Sequence, residues 1–173
     1  MSELKLQVKK AERGHLPRVV ELMKGLAEFE KLLDEFHVTA DLLEHHLFGK
    51  DAAAELLIGY LGEKIRGYGL FFQNFSTFLG RPGIYLEDVY VEPDARGKGL
   101  GRALLLEVIR TAKERGAARC EWMVLNWNER AKHFYESMGA RPLNDWRLYR
   151  MDEASLKKLL EEEGRYNNTA KGN

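Results

Sequence analysis

The sequence contains little cysteine, no excess of either charge and no long apolar run. A single cysteine, Cys120, excludes an internal disulfide and a cysteine-rich metal site. Lysine plus arginine and aspartate plus glutamate each number 27 among 173 residues, and this balance argues against nucleic acid as the main partner. No stretch approaches the roughly 18 apolar residues of a membrane span, and the first residues lack the apolar core of a signal peptide. We therefore expect a soluble cytoplasmic protein that acts neither on nucleic acid nor at a membrane.

Patterns that bind metal ions are also missing. His45 and His46 are adjacent, so their side chains leave a helix in different directions, and the H-E-x-x-H order of zinc enzymes is absent. The remaining histidines are scattered, and no Ser-His-Asp arrangement is evident. We expect no metal cofactor.

Apolar spacing and turn residues predict a single domain over residues 1–163. An apolar content of 45% is enough for a sizeable core. Thr39 and Asn128 are predicted helix N-caps, and Gly49 and Gly116 are predicted to follow helix ends. The periodicity predicts strands at 4–8, 53–61, 64–74, 83–91, 119–125 and 146–151, and helices at 15–31, 39–49, 100–115, 128–138 and 152–163.

The predicted order of the first ten elements is β-α-α-β-β-β-α-β-α-β. Antiparallel strands come first and a β-α-β-α unit follows. This order indicates an α/β (α+β) domain with a mixed, mostly antiparallel central sheet flanked by helices. Residues 164–173 are polar and are predicted to form a disordered tail.

Three glycines at alternate positions are the most informative feature. Gly97, Gly99 and Gly101 follow an apolar strand and open an amphipathic helix, and we call residues 96–102 the glycine turn. Bare backbone N–H groups at a helix N-terminus suit a pyrophosphate. The spacing is not that of a dinucleotide site, because Arg102 stands at its third glycine, and it lacks the Gly-Lys-Ser/Thr of a P-loop. The alternative is a turn that only caps a core helix.

The pattern Arg96-x-x-Gly99-x-Gly101 resembles the acetyl-CoA signature of the GNAT N-acetyltransferase superfamily, Arg/Gln-x-x-Gly-x-Gly/Ala. Other segments resemble the spermidine/spermine (diamine) N-acetyltransferase family, including its thialysine-acetylating branch. The resemblance covers essentially residues 4–163 and implies the GNAT fold, acetyl-CoA as co-substrate and a homodimer. The segments that carry it are Tyr85-Leu-Glu-Asp88, Leu125-Asn-Trp-Asn-Glu129 with His133-Phe-Tyr135 and Gly139-Ala140, and Trp146-Arg-Leu-Tyr149.

The resemblance also implies roles for individual residues. Tyr135 matches the tyrosine that protonates the CoA sulfur, and pKa values of about 10 and 8.5 suit that transfer; the alternative is a core aromatic. Asn128 matches a residue that contacts the cofactor, although an N-cap explains it equally well. The residues that the resemblance assigns to cofactor binding are Val89, Tyr90, Val91, Arg96, Gly97, Lys98, Gly99, Leu100, Gly101, Arg102 and Asn128.

Acetyl transfer to an amine first requires a deprotonated amine. With a pKa of about 10.4, only about one alkylamine in a thousand is nucleophilic at neutral pH, a deficit of roughly 4–5 kcal/mol. Glu87 lies on the strand before the glycine turn and is predicted to face opposite to Leu86 and Asp88. The resemblance implies that Glu87 binds the amine and serves as the base. The alternatives are an ordinary strand residue, or water as the base.

Two segments bear on the selection of the amine. The resemblance places Phe29 and Glu30 on a substrate-binding pair, with phenylalanine replacing the tyrosine of the polyamine enzymes; a solvated acidic surface is the alternative. Ser76 and Thr77 stand about where those enzymes have an acidic residue, and the loop before Trp146 is shorter. The hydroxyls look more like the thialysine branch, so we favour a diamino acid such as thialysine over short diamines, and both over long polyamines.

These features together predict an N-acetyltransferase that moves acetyl from acetyl-CoA to a small amine by direct attack of the amine on the thioester. A second enzyme hypothesis is acetylation of a protein lysine or N-terminus. A hypothesis of another class is a CoA-binding regulatory module without turnover, against which the presence of Glu87 and Tyr135 argues.

Overall fold

The computed structural model describes the backbone of residues 5–170 and the side chains of residues 5–163. The contacts divide the chain after Met123 into two units, each described by itself below. The first unit contains β1 Leu6–Lys10, α1 Leu16–Glu30, α2 Ala40–Phe48, β2 Glu55–Leu61, β3 Lys64–Ser76, β4 Arg81–Val91, α3 Leu100–Glu114 and β5 Cys120–Glu121; the second contains α4 Glu129–Ser137 and α5 Glu153–Ala170.

A five-stranded sheet in the order β1-β2-β3-β4-β5 forms the first unit. The pairs from β1 to β4 are antiparallel, and β4 pairs with β5 in parallel. The predicted α/β class with a mixed, mostly antiparallel sheet is therefore confirmed. The prediction of one domain over residues 1–163 stays a prediction.

Helices pack on both faces of this sheet. On one face α1 and α2 bury residues such as Val19 and Leu22 against Ile58 and Tyr68. On the other face α3 lies over strand positions that have no side chain: a Cβ at Gly59 or Gly67 would come within 3.3 Å of the Leu104 side chain. The glycines in β2 and β3 therefore let α3 approach the sheet closely.

Most predicted elements of the first unit are present near their predicted bounds. The predicted cap of α2 is confirmed, since the hydroxyl of Thr39 accepts from the backbone N–H of Leu42 at 3.2 Å. Gly116, at φ 68°, follows the end of α3 as predicted. Among the described residues, no helix combines the length and the apolar character needed to cross a membrane.

The last two predicted strands differ from the structure. The strand predicted at 119–125 is only two residues long, Cys120–Glu121. The prediction of a strand at 146–151 is wrong, because these residues are in no helix or strand. A strand needs a hydrogen-bonded neighbour, and the described part of the second unit contains no other strand. The apolar alternation that suggested it instead leaves Trp146 74% and Tyr149 89% exposed.

The final helix is longer than its predicted end near residue 163. Asp152 caps it, since its Oδ1 accepts from Ser155 N–H at 2.7 Å, and α5 continues to Ala170. Residues 171–173 of the tail predicted to be disordered lie outside the described residues.

Candidate active site

The glycine turn exposes bare backbone at the start of α3. Gly97 and Gly99 have positive φ values of 77° and 87°, a conformation that side chains other than glycine adopt at a cost. Gly99 is the N-cap of α3, and no side chain caps this helix end. A Cβ at Gly97 would meet nothing within 4 Å. The helix N-terminus is thus open to an anionic group, which the backbone N–H groups and the dipole favour.

The edge of β4 that faces away from β3 is mostly unpaired in the first unit. β5 pairs only with Ile84 and Tyr85. On the β3 side, the N–H of Glu92 donates to the carbonyl of Arg66 at 3.0 Å. Hydrogen bonds alternate along an antiparallel pair, so the N–H groups of Val89 and Val91 point to the open edge. They are the strand donors nearest the glycine turn.

Tyr90 differs from its two neighbours. Its backbone N–H falls on the β3 side by the same alternation, and its ring is only 6% exposed. The ring lies 6.2 Å from that of Tyr68, and a Cβ at Gly25 would come 2.7 Å from its hydroxyl oxygen. Tyr90 therefore packs α1 onto the sheet.

A β-bulge at Glu87 changes the predicted orientation of the carboxylates. Leu86 pairs with Phe71 and Asp88 pairs with Leu70, so Glu87 has no partner on β3. Because consecutive β3 residues point to opposite faces, Leu86 and Asp88 do so as well. The prediction that they share a face was wrong, since one extra residue in a strand reverses the alternation after it. Glu87 is exposed and Leu86 is buried.

The bulge turns Asp88 toward the α1 face, where it joins Tyr68 and Glu30. The fully buried Tyr68 donates its hydroxyl hydrogen to Asp88 Oδ2 at 3.3 Å. Burial is the main cause that raises the pKa of Asp88 to about 6, and the charges of Glu87 and Glu30 add to it. Burial also raises the pKa of Glu30. We call Glu30, Glu87 and Asp88 the acidic cluster.

Asp88 and Tyr68 are candidate site residues that the sequence did not indicate. Asp88 had a signal, because a charged residue inside an apolar strand is unusual. Tyr68 had none, since an aromatic residue in an apolar strand is ordinary. Burial and the nearby carboxylates raise the pKa of Tyr68 well above its usual value, so Tyr68 acts as a neutral hydrogen-bond donor to Asp88.

Arg96 links the glycine turn to the end of α1. Its Nε donates to the carbonyl of Val91 at 2.8 Å, and its guanidinium lies 4.9 Å from the ring centre of Phe29 and 5.7 Å from that of Tyr90. Cation–π contacts of this kind contribute about 0.5–2 kcal/mol. The predicted substrate pair Phe29–Glu30 and the predicted cofactor residue Arg96 are therefore neighbours.

Ser76 and Thr77 lie away from the acidic cluster. Ser76 is 2% exposed, and its hydroxyl accepts from Leu79 N–H at 3.3 Å and from Arg119 Nη1 at 3.1 Å. Along β3 it is six residues beyond Leu70, the partner of Asp88, which is about 20 Å in an extended strand. The structure does not group these two hydroxyls with Glu30 and Asp88.

The second unit holds the two remaining predicted site residues. Asn128 caps α4 as predicted, because its Oδ1 accepts from Ala131 N–H at 3.2 Å. Tyr135 lies in the last part of α4, half-buried, with its ring centre 5.3 Å from that of Phe134. The cap accounts for the position of Asn128 without a ligand.

Comparison with known proteins bears on the family and on the fold. Residues 19–140 match the acetyltransferase (GNAT) family. A thialysine N-epsilon-acetyltransferase from Bos taurus is 31% identical over 89% of this chain and 96% of its own length. An L-ornithine N5-acetyltransferase from Arabidopsis thaliana is 40% identical over 55% of this chain and 42% of its own length. An integron cassette protein from V. cholerae, 22% identical, shares the fold with a TM-score of 0.76, covering 90% of this chain and 97% of that one.

Replacing Asp88 by Asn should stabilise the protein above pH 6. The pKa of Asp88 is raised from 3.8 to about 6, so between these values the folded state holds more protons than the unfolded state, and the free energy of unfolding falls as pH rises. At about 1.4 kcal/mol per pKa unit, the ionised carboxylate costs roughly 3 kcal/mol above pH 6. Asn keeps an acceptor for Tyr68 and does not ionise.

Urea unfolding of the wild type and Asp88→Asn at pH 8 and pH 4.5 measures this effect. The gain in unfolding free energy should be larger at pH 8. Glu63→Gln removes an exposed carboxylate from the β2–β3 turn and should change neither curve by more than about 0.5 kcal/mol. An equal effect of Asp88→Asn at both pH values would contradict a raised pKa.

Proposed function

Because the chain belongs to the GNAT acetyltransferase family, we propose that it transfers an acetyl group from acetyl-CoA to the side-chain amine of a small diamino acid. Its relatives are named for acetylation of thialysine and of ornithine. The observation that carries the proposal is that β4 leads past the acidic cluster into the open glycine turn. One strand thus presents a site for a cationic amine and a site for an anionic cofactor.

The glycine turn and the open edge of β4 fit acetyl-CoA. The backbone N–H groups of residues 97–102 would hold the pyrophosphate, which needs donors and no side chain. The N–H groups of Val89 and Val91 would hold the acetyl donor along β4 and polarise its carbonyl. Bound acetyl-CoA supplies the thioester carbonyl that the amine attacks.

The acidic cluster would bind the acceptor amine and remove its proton. Carboxylates favour an ammonium ion at short range, so the amine arrives protonated and must lose one proton before attack. We assign that proton to Asp88, directly or through water, because a pKa of about 6 is closer to neutral pH than that of an ordinary carboxylate. Glu87 then has the supporting role of keeping the pKa of Asp88 high.

Tyr135 is proposed as the proton donor to the departing thiolate, as the family resemblance implies. In the complete reaction the ammonium ion loses one proton before attack, the C–N bond forms and the C–S bond breaks. The nitrogen loses a second proton as the amide forms, the sulfur gains one proton, and one proton is released overall. Asn128 is proposed as a further cofactor contact. The protein is also proposed to be a cytoplasmic homodimer, which light scattering of the purified protein tests.

An amine panel tests the proposed function. With acetyl-CoA present, release of the CoA thiol should depend on thialysine, lysine or ornithine, more weakly on short diamines and least on spermidine. The rate should rise with pH as Asp88 loses its proton and becomes able to accept one from the amine. Labelling of proteins in place of small amines would support a protein acetyltransferase, and CoA binding without acetyl transfer would support a regulatory module; either outcome overturns the proposal.

The pH dependence of kcat/KM distinguishes Asp88 from Glu87 as the base. Asp88→Asn should lower kcat/KM by about 10²–10⁴-fold, the range of general-base catalysis. Glu87→Gln should remain active and shift the acidic limb of the profile to lower pH, because it removes a charge that raises the pKa of Asp88. If Glu87→Gln is inactive and Asp88→Asn is active, Glu87 is the base.

Two further variants separate cofactor binding from chemistry. Gly101→Ala places a Cβ 3.7 Å from a Val91 methyl, an ordinary contact, and Ala is up to about 1 kcal/mol better in a helix than Gly. It should weaken CoA binding about tenfold without lowering the melting temperature, because the methyl crowds the pyrophosphate.

Tyr135→Phe should lower kcat about 10–100-fold with unchanged CoA affinity.

Calorimetric titration with CoA and steady-state kinetics measure these two effects. Gly14→Ala is the matched control for Gly101→Ala, since a Cβ at Gly14 meets nothing within 4 Å. Normal CoA affinity in Gly101→Ala would show that the pyrophosphate does not approach this turn. Unchanged kcat in Tyr135→Phe would remove Tyr135 from the reaction.

A further inference from the structure

Four charged side chains form a network at the base of the glycine turn. The carboxylate of Glu92 lies between two arginines, 2.6 Å from Arg18 Nη2 and 3.0 Å from Arg66 Nε. The second contact is an ion pair whose angle does not make it a hydrogen bond. Arg66 also pairs with Asp94 through Nη2. We call Arg18, Arg66, Glu92 and Asp94 the base network.

Arg66 is the member that joins β3 to both carboxylates. Its side chain is 21% exposed and that of Glu92 is 22% exposed, so water screens this pair less than a surface pair. Arg18 reaches Glu92 from α1 and also donates to the carbonyl of Ile65. Among the described residues, only Arg66 contacts the side chains of both Glu92 and Asp94.

The two carboxylates flank the segment from which the glycine turn projects. Glu92 follows β4 directly, and Asp94 lies in the short 3-10 turn Pro93–Ala95. Ala95 is 1% exposed, so this turn is anchored in the interior. Lys98 Nζ donates to the carbonyl of Asp94 at 3.0 Å. The base network therefore lies one short turn from the backbone that would hold the pyrophosphate.

The glycine turn needs such support because its own residues allow many conformations. Gly97 and Gly99 adopt positive φ angles, and glycine loses more backbone freedom on ordering than any other residue. A turn that must order when the ligand binds gives weaker affinity than one already held in place. In the free protein, the contacts on either side of the glycines determine the shape of the turn.

We propose that Arg66 is a positioning residue for acetyl-CoA, which holds the glycine turn in its binding conformation through Glu92 and Asp94. The inference deepens the proposed function and rests on it. Arg66 touches neither substrate in this role, so its loss should weaken cofactor binding and spare the chemical step. The hydrogen bond from Arg66 holds the pKa of Asp94 below its usual value. Asp94 is therefore ionised at neutral pH, and its ion pair with Arg66 persists there.

Calorimetry with CoA, together with kcat and both KM values, tests this role in three variants. Arg66→Gln should raise the Kd for CoA and the KM for acetyl-CoA on the order of tenfold, corresponding to loss of a charge-assisted contact. The KM for the amine and kcat at saturating acetyl-CoA should stay within about twofold. Arg66→Lys keeps the positive charge but loses the two-pronged guanidinium geometry. Its Kd for CoA and its KM for acetyl-CoA should lie between those of Arg66→Gln and the wild type.

Asp94→Asn is the variant least able to disturb folding, because its side chain is 75% exposed. It should raise the Kd for CoA about threefold, in the direction expected for losing one of the two charged contacts of Arg66. The matched control is Arg13→Gln, which removes another arginine–carboxylate pair, Arg13–Glu44 at 3.1 Å, away from the glycine turn. It should change none of the four measurements.

Several outcomes would overturn the inference. One is unchanged CoA affinity in Arg66→Gln, or in Asp94→Asn if Arg66→Gln does not fold. Another is a fall in kcat and in melting temperature together with a rise in both KM values, which indicates a purely structural role. Wild-type protein that binds no CoA would instead refute the proposed function. Wild-type protein that binds CoA and acetylates an amine, with normal Arg66 variants, would refute only the role of Arg66.

Discussion

Unequal pairing of the two edges of β4 is the constraint on which the candidate site depends. Toward β3 the strand is paired along its length, apart from the bulge at Glu87. On its other edge, among the described residues of the first unit, it pairs with β5 at Ile84 and Tyr85 and accepts one further hydrogen bond, from Ala118 N–H to the Pro82 carbonyl. Buried backbone groups must find partners, so the open edge is a place where a ligand can supply them. The glycine turn adds further unpaired backbone N–H groups between the end of β4 and the start of α3.

The acidic cluster lowers the stability of the fold once Asp88 ionises. Burial raises the pKa of Asp88, and Tyr68, itself fully buried, fixes the carboxylate with one hydrogen bond. A hydrophobic or amide side chain there would suit the core better. A carboxylate poised to accept a proton near neutral pH is useful only where an acid–base partner arrives.

Local signals in the sequence predicted the parts of the fold that local physics controls. The caps at Thr39 and Asn128 and the glycine turn are determined within a few residues, and the structure has them. The bulge at Glu87 was missed because it depends on register against Leu70 and Phe71, which the spacing of β4 alone does not contain. The strand prediction for residues 146–151 was wrong for a similar reason. Alternating apolar residues show which side of a strand would be buried, but they do not show whether a neighbouring strand exists to pair with it. The base network joins residues far apart in sequence, so no motif could indicate it.

The connectivity of the sheet also bears on the order in which the site is assembled. β2, β3 and β4 follow one another through short turns and pair as neighbours, so their contacts are local and form with little loss of chain entropy. The parallel pairing of β5 with β4 closes across the whole of α3, which makes it a later and slower event. By this argument Glu87 and Asp88, the two members of the acidic cluster on β4, are in place before β5 is added beside them.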